Sequence, residues 1–354
     1  MRIPPLFFSE PFLAAPIELL RILCYNTEKG GAGMAEERDD RGIRRIEKKY
    51  RRELARKRIG RSLRRFLLRG FLLAVMLVLG IVMFRHTRPK TKAPVRDALS
   101  VWMLDVGQGD AALLYCQGHA ALIDAGEYGN GERILSAMRS LGIRRLDYII
   151  NSHPHADHIG GMQTVLRGIP ADVLILPEIP QEIMPTAPSF VHALEAAEER
   201  NVPVRTAVCG ETLPLGGAEI TLFCTDNSRF TDLNDCSLIC RAAFGGTSFL
   251  FTGDLESEGE AAMLEAGLLT PVTVLKVPHH GSGSSCTPEF LKAVSPKLAV
   301  ISVGAMNDYG HPSSAALARL RTAGSEIYRT DLDGTVLLTA DGTQVTVQTA
   351  VKFE

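Results

Sequence analysis

Tyr148-Ile149-Ile150-Asn151-Ser152-His153-Pro154-His155-Ala156-Asp157-His158-Ile159-Gly160-Gly161 is the stretch on which the reading of this chain turns. An apolar run of strand length leads into three histidines and an aspartate within six residues. Alternate side chains of an extended segment share a face, so His153 and His155 point to one side. The chain then turns into a helix that presents Asp157 and His158 to a second position. Two imidazoles do not close a divalent-cation site alone, whereas a carboxylate reaching between two cations lets both polarise one water to hydroxide at neutral pH. A histidine-rich surface loop is the plain alternative. The density of ligand-type residues directly after a strand argues against it.

Working outward, other metal-competent residues also fall just past apolar runs. Residues 249–251 lead into Asp254, 274–277 into His279 and His280, and 300–302 into Asn307, Asp308 and His311. If these strands are neighbours with the same ends aligned, their loops meet at one rim, with Asp254 as the natural bridge. Twelve runs of strand length are expected at 101–105, 111–116, 120–123, 148–150, 173–176, 220–223, 238–241, 248–251, 274–277, 298–302, 336–339 and 345–349. Helical patterns lie at 133–141, 159–166, 190–200, 256–266, 288–294 and 313–322. Sequence-local strands with interspersed helices predict an α+β domain over 99–354, two sheets packed face to face and covered by helices.

The net charge of −1 conceals an asymmetry. Through Arg96, Lys and Arg outnumber Asp and Glu 23 to 9, and beyond it they are outnumbered 16 to 31. A surface this acidic repels phosphate backbones, so strong unaided binding of DNA by the back domain is not expected. The seven cysteines form no CxxC pair and read mainly as buried small hydrophobes, with disulfides open to an exported domain.

At the front, residues 66–85 are nearly all apolar, enough to span a bilayer if Arg69 snorkels to the headgroups. Because Phe84-Arg85-His86-Thr87-Arg88 lacks the small residues of a cleavage site, the span reads as an uncleaved anchor. Basic residues crowd the side before it, so the positive-inside rule leaves a basic segment, 1–65, in the cytoplasm and the large domain outside the membrane. Residues 86–98 read as an extended tether. Residues 1–33 fit neither a targeting peptide nor a domain. Lys29-Gly30-Gly31 can be encoded by a purine-rich ribosome-binding sequence, so translation is expected to start at Met34.

His153-Pro154-His155-Ala156-Asp157-His158-Ile159-Gly160-Gly161 resembles the signature loop of the metallo-β-lactamase superfamily. Further motifs extend the likeness across essentially all of 99–347: Asp105-Val106-Gly107-Gln108-Gly109-Asp110, Ile123-Asp124-Ala125-Gly126, Asn234-Asp235-Cys236-Ser237, Phe251-Thr252-Gly253-Asp254, Pro278-His279-His280-Gly281-Ser282 and Tyr309-Gly310-His311-Pro312. Together they look like the soluble domain of ComEC-type DNA-uptake proteins, with similar strings in choline-phosphate esterases. The resemblance implies a four-layer αββα sandwich for the domain that follows the single apolar span at 66–85. It also implies two divalent cations, zinc or else manganese, held by His153, His155, Asp157, His158 and Asp254, with the last imidazole from His280 or His311. His280 is favoured as ligand, with His311 as a second ligand or a group at the leaving oxygen. Asp124 would orient the histidine loop and Asp110 would lie near the same rim, though its motif also reads as a glycine-rich turn.

The chain departs from the superfamily pattern where a further histidine is usual, reading Asn234-Asp235-Cys236-Ser237 instead. An oxygen from Asn234 or Asp235 there would shift preference toward manganese. His192 lies in the interval on a predicted helix, where a structural role fits better. The implied activity is hydrolysis by a metal-bridged hydroxide, with Asp157, His279 and His311 in the catalytic set. Three readings follow: a membrane-anchored phosphodiesterase or nuclease, a small-molecule hydrolase of envelope substrates such as a phosphocholine ester or lactone, and a non-catalytic metal-stabilised module of a DNA-uptake complex.

Overall fold

A computed structural model describes residues 97–353 and, ahead of them, residue 45 and residues 48–53, 55–56 and 66–79. The chain divides into two compact units, Met1–His86 and Thr87–Glu354. In the first, residues 66–79 are helical with their side chains exposed. No helix among the described residues is long and apolar enough to cross a membrane. Residues 80–85 of the expected span, residues 1–33 with the expected start at Met34, and residues 86–96 of the tether lie outside the described residues.

The described residues of the second unit form fifteen strands. In chain order they are β1 (Leu99–Met103), β2 (Ala112–Cys116), β3 (His119–Ile123), β4 (Tyr148–Ile150), β5 (Leu174–Leu176), β6 (Val204–Thr206), β7 (Thr212–Leu215), β8 (Ala218–Phe223), β9 (Ile239–Phe244), β10 (Thr247–Phe251), β11 (Val274–Lys276), β12 (Leu298–Ile301), β13 (Glu326–Arg329), β14 (Thr335–Ala340) and β15 (Val345–Val351). The helices are α1 (Gly131–Leu141), α2 (Ala156–Ile159), α3 (Met162–Gly168), α4 (Pro188–Glu199), α5 (Ser257–Glu265), α6 (Pro288–Val294), α7 (Ser314–Thr322) and α8 (Thr330–Asp333). One sheet runs β15-β14-β1-β2-β3-β4-β5-β6 and the other β13-β12-β11-β10-β9-β8-β7.

Alternation along the strands builds the layers. Leu99, Val101 and Met103 of β1 join Ile220 and Leu222 of β8 and Phe249 of β10 in a core between the sheets. Trp102 faces the opposite way, into a second core with Ile134 and Met138 of α1, Val165 of α3 and Phe190 of α4. On the far side, Leu250, Leu275 and Ala299 pack against Met263 of α5, Phe290 of α6 and Leu320 of α7. A strand buried on both faces must be apolar throughout, which is why these runs lack alternation. The result is the expected order of helix, sheet, sheet, helix.

Three strands exceed the twelve expected: β6, β7 and β13. Each lies at the edge of a sheet; β6 and β13 have only exposed or half-buried positions, and β7 is four residues with just two buried leucines, so each leaves little hydrophobic signal. The expected helix at 159–166 is two segments, α2 and α3, and α2 begins earlier, at Ala156.

Within each sheet one half is parallel: β3 to β6 in the first and β10 to β13 in the second. The chemistry-bearing loops leave the carboxyl ends of these parallel strands. The expected neighbours β10, β11 and β12 are adjacent, but β4 belongs to the other sheet. The loops therefore meet across the seam between sheets rather than along one of them.

Candidate metal centre

Each ligand-type side chain is aimed by a local backbone cause. His155 is extended at φ −69 and ψ 152 and caps α2, so Asp157 and His158 fall in its single turn. His279 and His280 are both left-handed, at φ 47 and 52. That conformation is costly for non-glycine residues and concentrates at functional sites, and here it turns two successive imidazoles toward the rim. Gly109 sits at φ +125 against the carbonyl of Asp157, where a Cβ would collide with it. The Asp110 N–H can thereby donate to the Asp157 carbonyl oxygen at 3.1 Å.

Asp157, His158, Asp254 and His280 bring ligand-type atoms within 4.8 Å of one another. Asp254 lies at the centre. Its Oδ1 is 3.1 Å from His158 Nε2, and its Oδ2 is 3.3 Å from His280 Nε2 and 4.0 Å from His153 Nε2. Asp157 Oδ2 is 3.2 Å from His280 Nε2. On the other flank, His153 Nε2 faces His155 Nδ1 at 3.0 Å. One carboxylate thus lies between a His153/His155 pair and an Asp157/His158/His280 group.

The hydrogen bonds behind these rings fix which nitrogen faces the cluster. His158 Nδ1–H donates to Asp124 Oδ2 at 2.9 Å, and His280 Nδ1–H donates to the Ser302 carbonyl at 2.8 Å. Asp124 also accepts from Asn151 Nδ2 at 3.0 Å and from Ser152 N at 2.8 Å and Oγ at 2.6 Å. His153 Nδ1 lies 3.1 Å from that same Ser152 hydroxyl. With Nδ1–H committed to these acceptors, Nε2 is the nitrogen of His158 and of His280 that is turned to the cluster and available to a cation.

The donor set fits divalent cations. His158 Nε2 and Asp254 Oδ1 are buried 3.1 Å apart and meet no hydrogen-bond partner outside that pair, an arrangement that a cation between them would satisfy. The site also carries strong negative potential. Burial alone would disfavour a charged His158, yet Asp254, Asp124 and Asp157 outweigh it and drive the ring well above the usual imidazole range. His280 moves the same way, its burial outweighed by Asp254, Asp110 and Asp157. Burial opposes the charge on Asp254, but His158 and His280 hold it well below the usual carboxylate range. His153 goes the other way, pushed well down by burial and by His158.

His311 stands apart from the four-residue cluster, half-buried, with its ring centroid 5.4 Å from that of His279 and 6.3 Å from that of His280. Tyr309, 71% exposed, stacks on its outer face. Asn307 ties this loop by donating to the carbonyls of Gly304 and His311. Asp235 accepts from the N–H groups of Glu256 and Gly259, both at 2.9 Å, and so anchors the start of α5. Asn234 Nδ2 donates to Glu256 Oε1. His192 is exposed on α4. Gln108 Oε1 accepts from Gly304 N, tying the glycine-rich turn to the loop after β12.

Three participants escape the sequence reading. Glu256 Oε1 lies 2.8 Å from His279 Nδ1. Ser152 links Asp124 to His153. Lys276, 3% exposed, pairs with Asp110, and the signal that could have found it is a lone cation in the apolar run Val274-Leu275-Lys276-Val277.

Known proteins are similar to this chain in sequence. A family model described as the metallo-beta-lactamase superfamily matches residues 104–305. ComE operon protein 3 of Bacillus subtilis (strain 168) is 31% identical over 252 residues, 66% of this chain and 32% of that protein. Competence protein ComA of Neisseria gonorrhoeae is 33% identical over 267 residues, 74% of this chain and 34% of that one. The chain thus spans about a third of the length of these relatives. Among solved structures, the metallo-beta-lactamase fold protein YhfI of Bacillus subtilis aligns with TM-score 0.43 and 12% identity over 65% of this chain and 95% of its own. With its two sheets, its helical outer layers and its His and Asp cluster at their seam, the chain belongs to the metallo-beta-lactamase superfamily.

Proposed function

We propose that the chain is a membrane-anchored, metal-dependent hydrolase of phosphodiesters. The observation that carries this reading is the Asp254 carboxylate set between two groups of imidazoles, with buried lone-pair atoms turned toward one another. His153, His155 and Asp254 would hold one divalent cation, and Asp157, His158, His280 and Asp254 a second. Zinc suits the imidazole-rich set, and manganese is the alternative given the oxygens. Such cations, when bound, supply Lewis acidity and bring the pKa of a water toward neutrality.

The chain's own groups do the remaining work. Asp124 and Ser302 hold the His158 and His280 rings in their donating tautomers. His279, with Glu256 at its Nδ1 and its Nε2 3.8 Å from Asp254 Oδ2, can hand a proton to a leaving oxygen. His311, which burial and the neighbouring His279 and His280 hold below the usual imidazole range, is placed to serve the same oxygen.

The competence relatives favour a DNA strand as substrate, presented by a transport complex. The acidic composition beyond Arg96 favours a second reading, a small envelope phosphoester or lactone that needs no grip on a polyanion. Residues 66–85 would anchor the chain with its N-terminus in the bacterial cytoplasm. A disulfide between Cys209 and Cys224 supports an oxidising location for the catalytic domain.

Hydrolysis of bis-(p-nitrophenyl) phosphate, a phosphocholine ester and single-stranded DNA, each with zinc or manganese added back, separates these readings. Turnover of the first and third, lost in Asp157→Ala and Asp254→Ala while the domain stays folded, is expected. Turnover of the phosphocholine ester alone favours the small-molecule reading. Turnover of none would leave a non-catalytic metal-stabilised module.

A further inference from the structure

Lys276 is the one Lys or Arg in the buried set of described residues. It ends β11, in the middle of the second sheet. Strand alternation explains its direction, because Val274 faces the core between the sheets and Leu275 the outer helices, so Lys276 shares the face of Val274. Its Nζ crosses the seam to pair with Asp110 Oδ2, on the loop before β2 in the first sheet. It also lies 3.4 Å from the Gly253 carbonyl, one residue before Asp254. Asp110 in turn is bonded through its N–H to the Asp157 carbonyl. One ammonium therefore joins the backbone segments that carry Asp157 and Asp254, from opposite sheets.

The position of Asp110 shows why its charge must be held. Its Oδ1 is buried without a hydrogen-bond partner and lies 3.4 Å from His280 Nδ1. Its Oδ2 lies 3.8 Å from His158 Nδ1. It thus sits behind both rings, on the side away from the cluster, where it competes with Ser302 and Asp124 for the two Nδ1 protons. An unpaired carboxylate there, 6% exposed, would draw those Nδ1–H groups to itself as a hydrogen-bond acceptor and rotate the rings. The space around the pair is nearly closed: Asp110, Asp124, Gly253, Lys276 and Ser302 help line a cavity of about 10 Å³, no more than one water can fill.

We propose that Lys276 is a positioning residue, an internal counter-cation that pins Asp110 so that His158 and His280 keep their Nε2 lone pairs on the metal centre and the two sheets keep their spacing. This rests on the metal-centre reading above. The test is the affinity of the full-length protein for Mn²⁺ and Zn²⁺, by competition with a chromophoric chelator, for wild type, Lys276→Met and Asp110→Asn/Lys276→Met. A loss of about 10- to 100-fold is expected in Lys276→Met, the range for removing an outer partner of a metal-binding histidine. The double variant, which removes both charges, should recover most of that loss. Wild-type or tighter affinity in Lys276→Met would overturn the proposal, and so would a double variant that fails to regain affinity. If Lys276→Met does not fold, recovery of folding and affinity in the double variant still decides for charge compensation, and its absence against. A wild-type protein that binds neither metal in stoichiometric amount would fell the metal-centre reading and this inference with it.

Discussion

Replacing Asp124 by asparagine tests whether the rings are aimed from behind. Asp124 is 1% exposed and left-handed at φ 58, a conformation asparagine tolerates better than alanine, so the backbone stays in place. The carboxylate accepts four hydrogen bonds between 2.6 and 3.0 Å. An amide has one acceptor oxygen. Placed at the Oδ2 position, that oxygen leaves the amide N–H groups against Asn151 Nδ2 and Ser152 N, which cannot accept. Placed at Oδ1, it keeps those two bonds, and the amide donates toward the Ser152 hydroxyl and His158 Nδ1. The second arrangement wins because a hydroxyl and an imidazole can both turn over. His158 then carries its proton on Nε2, and its lone pair leaves the cluster. A lost outer partner weakens metal binding about 10- to 100-fold, equivalent to roughly 1.4–2.7 kcal/mol. The metal-free protein should also lose about 1–3 kcal/mol for the weakened buried bonds. Chelator competition reads the first quantity and thermal melting in EDTA the second. Wild-type metal affinity in Asp124→Asn would refute the reasoning, since no other acceptor as near as 2.9 Å is available to His158 Nδ1 among the described residues.

Three further outcomes follow from the same geometry. Burial lifts the Glu260 carboxyl from 4.5 to about 7, despite the Cys286 and Thr287 N–H groups and Arg319 that pull it back. The unfolded chain therefore releases this proton first, and stability falls as pH rises from about 4.5 to about 7, by roughly 3 kcal/mol; chemical denaturation across that window should show the slope in wild type and lose it in Glu260→Gln. Gly109→Ala forces a Cβ into the Asp157 carbonyl at a φ that L-residues avoid, so melting should show a loss above the roughly 1–3 kcal/mol of backbone strain alone, together with weaker metal binding. His279→Ala and His311→Ala should each retain bound metal, and whichever serves the leaving oxygen should lose about 10²- to 10⁴-fold in kcat; if both retain full turnover, neither hands over a proton.

What can be read in the chain and what cannot divides along sequence separation. His153, His155, Asp157 and His158 announce themselves because four ligand-type residues share one strand end and one helical turn, so local geometry alone aims them. Asp254, His279 and His280 are legible as strand-end residues, but their meeting with the histidine loop depends on how two sheets face each other. The strand-end pattern suggests β4 and β10 to β12 as neighbours, whereas the sheet order places β4 across the seam. Edge strands β6, β7 and β13 escape notice because half-exposed strands carry charge and threonine in place of an apolar run. Lys276 shows the deeper reason. In sequence it is an anomaly in a buried strand, and a cation there is intolerable until its partner is known. That partner, Asp110, lies on a glycine-rich turn far away in sequence, where nothing local points to a lysine. Asp110 can be placed near the rim by resemblance, but only the fold, by bringing β11 against the loop before β2, pairs it with Lys276 and makes the two charges into one neutral strut behind the histidines. The long-range part of such a site is therefore best sought among charges that local structure cannot justify.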